Sequence, residues 1–116
     1  MDSEQTVYKN IIVVTLNGRI TTSEEIEALN TQVRLIKDNN INHIVFNLQN
    51  LDWMSSLGLG AFISYMTSLR NAGGDLLLCS LNSKMKSLFS MTRLDQVFKI
   101  YEDPELAVQS FTVVKN

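Results

Sequence analysis

Cysteine and histidine occur once each in these 116 residues, and that scarcity excludes most metal and disulfide chemistry. A single Cys and a single His cannot assemble the usual zinc ligand sets. Cys79 lies in the apolar run "LLLCS", the setting of a buried thiol in a reducing compartment rather than half of a bridge. A basic stripe is also missing, since 10 Lys and Arg stand against 12 Asp and Glu, scattered, for a net charge of -2. Long-range attraction to a nucleic acid or an anionic membrane surface is therefore absent, and neither is expected as a partner. The apolar runs fall far short of a membrane span, and "MDSEQTVYKN" is too polar for a secretory leader, so the expected location is cytoplasmic. Neither Gly-x-Gly-x-x-Gly nor a P-loop lysine is present, and no cofactor is expected.

What remains is ordinary globular material. At 45% hydrophobic the chain can bury one core, so residues 1–116 read as a single domain. Val7 to Leu16 is strand-like and interrupted at Lys9-Asn10, a two-residue hairpin turn in which Asn tolerates a left-handed backbone. Thr22-x-x-Glu25 forms a capping box, with Glu24 and Glu25 at the positive end of the helix dipole. Ile26, Leu29, Val33 and Ile36 continue it as an amphipathic helix ending before "DNN". "HIVFNL" and "DLLLCSL" read as buried strands, the second apolar on both faces as in parallel sheets. Ser83 opens a short helix through Met85, Leu88 and Phe89, and the surrounding "SKMKS" reads as a solvated face whose Lys84 and Lys86 border any surface formed nearby. "QVFKIY" reads as a last strand. Asp103-Pro104-Glu105 opens a final helix with a cap, a proline at the first helical position and an acid in the first turn. The alternation predicts an α/β domain, a mixed and mostly parallel sheet of about five strands with an N-terminal hairpin, packed with about four helices.

The stretch "LDWMSSLGLGAF" joins a strand to a helix running from Leu57 to Asn71, with Leu59, Phe62, Ile63, Met66 and Leu69 at helical spacing and Gly73-Gly74 as the stop. The helix N-terminus falls at Ser55 or Ser56. Two readings of the serines stand side by side. In one, a serine hydroxyl caps the helix while Gly58 and Gly60 allow close packing on the sheet. In the other, an exposed hydroxyl at a helix start is a place for a phosphate, which would face the dipole and unpaired N–H groups. Catalysis by a serine nucleophile needs a base, and His43, the one histidine, lies at the start of its strand and so at the far edge of the sheet. No Gly-x-Ser-x-Gly elbow is present, and the chain is not expected to be an enzyme. Trp53, Phe62, Tyr65 and Met66 are explained by core or half-buried packing.

These residues resemble the STAS domain, and within it the bacterial anti-sigma factor antagonists. In "MSSLGLG", Met54 takes the hydrophobic position of that family's motif, Ser56 the phosphoacceptor position, and Gly58, Leu59 and Gly60 follow. The likeness extends from "VVTLNGRI" through "GGDLLLCSL" to the region before Phe98. Ser55 stands where the family commonly has Asp, Leu57 where a second hydroxyl residue is common, and Thr21 where a further acid is found. The resemblance implies a partner-switching protein that binds an anti-sigma factor serine kinase and so releases a sigma factor. Phosphorylation of Ser56 would switch it off, and a metal-dependent serine phosphatase would restore it. The implied partner-binding residues are Thr21, Thr22, Ser55, Ser56, Leu57, Gly58, Leu59 and Gly60, with the chain acting as a monomer. A constitutive STAS interaction subunit that is never phosphorylated is the alternative, kept open by the residues at 55 and 57.

Overall fold

A computed structural model describes residues 1–113. Five strands form one sheet in the order β1 (Asp2–Tyr8), β2 (Ile11–Ile20), β3 (His43–Met54), β4 (Asp75–Cys79) and β5 (Ile100–Tyr101). β1 and β2 pair antiparallel, and every later pair is parallel. The crossovers are α1 (Ser23–Asp38), α2 (Ser56–Asn71) and α3 (Ser83–Met91), and α4 (Pro104–Val113) follows β5. The mixed sheet with an N-terminal hairpin and four helices is the architecture expected from the alternation of periods.

Alternation along the strands sorts the core into two layers. Ile12, Val14, Ile44, Phe46, Leu76 and Leu78 face α1, α2 and α3, where they meet Leu29, Val33, Phe62, Leu69 and Phe89. Ile11, Val13, Val45, Leu77 and Cys79 face the other way, against Ala107 of α4. Every residue of β4 is buried, which explains its uninterrupted apolar reading.

The local signals act as their chemistry requires, with several corrections. Thr22 accepts from the Glu25 N–H at 3.2 Å while Glu25 accepts from the Thr22 N–H at 3.1 Å, completing the capping box of α1. Asp103 Oδ1 accepts the Leu106 N–H at 2.9 Å and caps α4. In the hairpin, Lys9 rather than Asn10 takes the positive φ, 58°, as in turns where only the first central residue is left-handed. β1 reaches back to Asp2 through polar residues, because an edge strand exposed over all but Ser3 needs no apolar alternation. β3 runs six residues past "HIVFNL" to Met54, held by continued pairing with β2 in which β3 itself is bulged, carrying an extra residue between Asn47 and Asn50 and again between Leu51 and Trp53. The last strand is only Ile100–Tyr101, because Arg93 turns left-handed and Leu94–Gln96 form a 3-10 turn that sends Phe98 into the core against Phe89.

Candidate functional site

Extension of β3 brings the two serines to one end of the sheet. Ile20 and Met54 are register partners at the ends of β2 and β3. The Ser55 N–H donates to the Ile20 carbonyl at 2.9 Å, so β2 fixes the point where β3 becomes α2. Thr21 and Thr22 leave β2 beside this junction and start α1. On the other side, Asn82 caps α3 by accepting the Met85 N–H at 2.9 Å, and its Nδ2 donates to the Leu51 carbonyl at 3.0 Å. The starts of α1, α2 and α3 therefore lie together at the carboxyl ends of β2, β3 and β4, where α/β sheets generally present their binding surfaces.

Ser55 is the N-cap of α2, with extended backbone angles, yet its hydroxyl makes no capping bond. The Ser55 Oγ is buried and has no hydrogen-bond partner among the described residues. A hydroxyl cap, one of the two uses open to the serines, is thus not made at the position that would make it. Ser56 is the first residue of the helix and is exposed. The first intrahelical bond is donated by the Leu59 N–H to the Ser55 carbonyl at 3.0 Å, which leaves the N–H groups of Ser56, Leu57 and Gly58 pointing out of the helix start. The first turn contains no acidic residue, so no carboxylate answers the positive end of this helix dipole. A negative group attached at Ser56 meets donors and a favourable field there.

The other expected site residues divide by exposure. Leu57 is 60% exposed, and Gly60 is exposed with open space where a Cβ would stand. Gly58 and Leu59 are buried and face the sheet, so they shape the helix start rather than offer it to a partner. A Cβ on Gly58 would lie 2.6 Å from Met54 Cγ and 3.2 Å from Ile20 Cγ2, which is why this turn approaches the strand ends so closely. Thr22 is exposed, and Thr21 is half-buried. The Thr21 N–H and hydroxyl donate to Glu25 Oε1 at 3.0 and 3.4 Å, so a carboxylate stands beside the position where the family resemblance points to an acid.

Trp53, expected in core or half-buried packing, is 40% exposed at the end of β3, opposite Arg19 of β2. With exposed Asp52 it extends the surface beyond the serines. Within "LDWM" Leu51 and Met54 turn inward and the two residues between them do not. His43 begins β3 at the opposite end and stacks edge-on against Phe111 with ring centroids 4.6 Å apart. The length of that strand separates it from Ser56 by on the order of 30 Å, beyond any proton relay by side-chain contact. Among the described residues no group of three or more His, Cys, Asp and Glu could hold a metal, and no helix is long and apolar enough to cross a membrane.

The STAS domain family model matches residues 3–107, and the chain belongs to that family. It is similar to the anti-sigma F factor antagonist of Paenibacillus polymyxa, with 27% identity over 109 residues and 92% of each chain covered. Among solved structures, the anti-sigma factor antagonist SpoIIAA in its unphosphorylated form aligns with a TM-score of 0.82 and 17% identity, over 96% of both chains. The Bacillus cell fate determinant SpoIIAA in its phosphorylated form aligns with a TM-score of 0.74 and 19% identity, over 95% of this chain and 99% of that one. At those identities the structural likeness concerns the fold.

Proposed function

We propose that this chain is an anti-sigma factor antagonist whose binding surface is the junction of β3 and α2, switched off by phosphorylation of Ser56. The partner is an anti-sigma factor with serine kinase activity, and its capture sets a sigma factor free in the cytoplasm. The observation that carries the reading is the contrast between the two serines: the Ser56 side is exposed at an acid-free helix start, whereas the Ser55 hydroxyl is enclosed. The names of relatives covering nearly the whole chain support the same class.

In the switching step the Ser56 Oγ attacks the γ-phosphorus of ATP, its proton passes to a base of the kinase, and ADP leaves. A metal-dependent phosphatase returns the serine and inorganic phosphate by hydrolysis. The added charge of about -1.5 to -2 is tolerated by the isolated domain, because three N–H groups and the dipole face it. Against a partner that has excluded water from Leu57 and Trp53, the same charge goes unanswered and costs several kcal/mol.

The test is incubation with ATP and the cognate kinase, followed by phosphosite mapping and affinity measurements. Ser56→Ala is expected to bind without accepting phosphate, Ser56→Asp to bind more weakly, and Ser55→Ala to be phosphorylated normally. Phosphate on Ser55, or full affinity in Ser56→Asp, would refute the assignment. Persistent binding with no phosphate on either serine selects the constitutive subunit instead, the reading kept open by Ser55 and Leu57 standing where the family commonly has other residues.

A further inference from the structure

β1 is the long open edge of the sheet. It pairs with β2 over seven residues in unbroken register, contains neither proline nor lysine, and among the described residues has no strand on its outer side. Proteins usually blunt such an edge with charged side chains, lysine above all, with proline or with a bulge, and here the only charges on the strand are those of Asp2 and Glu4. The two-residue turn makes Tyr8 and Ile11 a hydrogen-bonded pair, so Tyr8, Thr6, Glu4 and Asp2 bond inward to β2. The main-chain groups of Ser3, Gln5 and Val7 consequently point away from the sheet. The Ser3 N–H confirms this direction, since it is met by the carboxylate of its neighbour Asp2 at 2.9 Å and not by β2.

Apolar side chains gather at the same edge. Val7 is 60% exposed and Tyr8 46%. The Ser3 hydroxyl donates to Gln32 Oε1 at 3.2 Å, which places that flank of α1 over β1. One turn beyond Gln32 on the same helix stands Leu35, 55% exposed.

We infer that this edge is a self-association surface, and that its occupant is β1 of a second copy, paired antiparallel about a two-fold axis through Gln5. Only an axis perpendicular to the sheet extends it, and such an axis pairs residues pointing to the same face. With Gln5 on the axis, Ser3 faces Val7 and Gln5 faces Gln5, so every outward main-chain group of the strand finds a partner. On the opposite face of the ribbon, Asp2 meets the Tyr8 phenol and Glu4 meets the Thr6 hydroxyl. Each acid thus faces a donor, whereas a shift of the axis to Glu4 sets the two Glu4 carboxylates against each other. The other edge of the sheet is the two-residue β5, too short to propagate pairing, so the assembly closes as a dimer instead of growing into a fibre. The proposed assembly is a weak dimer of ten continuous strands, in place of the monomer expected from the sequence. Because the two copies run antiparallel, their α2 starts emerge at opposite ends, and neither blocks the other.

Sedimentation equilibrium of the whole chain from roughly 10 µM to 1 mM spans the range in which an interface this small dissociates. The average mass is expected to rise from monomer toward dimer. Val7→Lys, with a cation on an already exposed position, is expected to weaken dimerisation about tenfold or more while leaving the thermal transition in place. Gln5→Cys is expected to form a symmetric disulfide under mild oxidation, because the Cα atoms of a hydrogen-bonded pair stand about 5.5 Å apart, within disulfide reach. The native thiol, Cys79, is buried and does not compete. Lys86→Cys, on the exposed side of α3, supplies the background rate. A monomer mass throughout the range overturns the proposal. So does a dimer that Val7→Lys leaves at full strength, or equal cross-linking at positions 5 and 86.

Discussion

The two glycines of the central motif illustrate how differently one residue type can be held. Gly58 has no room for a side chain, since a Cβ would press on Met54 and Ile20, whereas Gly60 opens on solvent. Gly58→Ala is expected to lower stability by about 1–3 kcal/mol through strain at the strand ends. Gly60→Ala is expected to raise it by roughly 0.5–1 kcal/mol, because alanine restricts the unfolded chain and suits a helix interior. If Gly60 lies against a partner, the same stabilised variant binds that partner more weakly. Paired melting curves and affinities check this, and equal melting temperatures for the two variants would show that the space around Gly58 is not what restrains it. A large residue at Gly58 is likewise expected to disturb the fold before it disturbs partner contact, because the position is buried.

At the scale of elements, the start of α1 is an electrostatic joint. The carboxylate of Glu25 accepts from the amino group of Met1 at 2.8 Å and from the Thr21 and Thr22 amides. These contacts, the amino group foremost, lower its pKa from 4.5 to about 2. A depressed carboxylate contributes stability that is present above the unfolded value and lost as pH falls through the folded one. The advantage of the wild type over Glu25→Gln is therefore expected to be full above pH 4.5 and to vanish as pH drops toward 2. Thermal melts of both proteins across that interval measure it, and a difference independent of pH would assign the effect to packing. The same joint ties the first strand, the end of β2 and α1 beside the proposed binding surface.

At the scale of the whole molecule, β4 lies inside the sheet with α2 over one face and α4 over the other, and Cys79 reports on that enclosure. Burial pushes its thiol up to about 11, with the nearby Asp103 adding to the rise and a bond from Ser80 opposing it. The thiolate is the reactive form, so a thiol reagent at pH 8 is expected to label Cys79 only through opening of the sheet. Labelling should accelerate with denaturant in step with unfolding followed by circular dichroism. Rapid labelling of the native protein would show that α4 leaves the sheet without global unfolding.

The order of elements was legible because it depends on short-range rules: the capping box at Thr22, the proline at the first position of α4, the period of α2 and the apolar run of β4 each act within a few residues. The same locality placed the α2 start at Ser55 or Ser56, and the resemblance to the STAS family, rather than any local rule, pointed to Ser56 as the hydroxyl to examine. Tertiary structure decided whatever depends on a neighbour distant in sequence. Pairing with β2 carries β3 on to Met54, and the Ile20 carbonyl makes Ser55 the cap. Enclosure of its hydroxyl and exposure of Ser56 follow from how that turn meets the ends of both strands. The length of β1 was hidden because an edge strand bathed in solvent has no hydrophobic alternation to betray it, and the brevity of β5 because "VFKI" alternates like a strand while Phe98 is drawn into the core. Local chemistry wrote the elements into the sequence; long-range pairing and burial, which no short window contains, determined where they end and which of two adjacent serines faces the solvent.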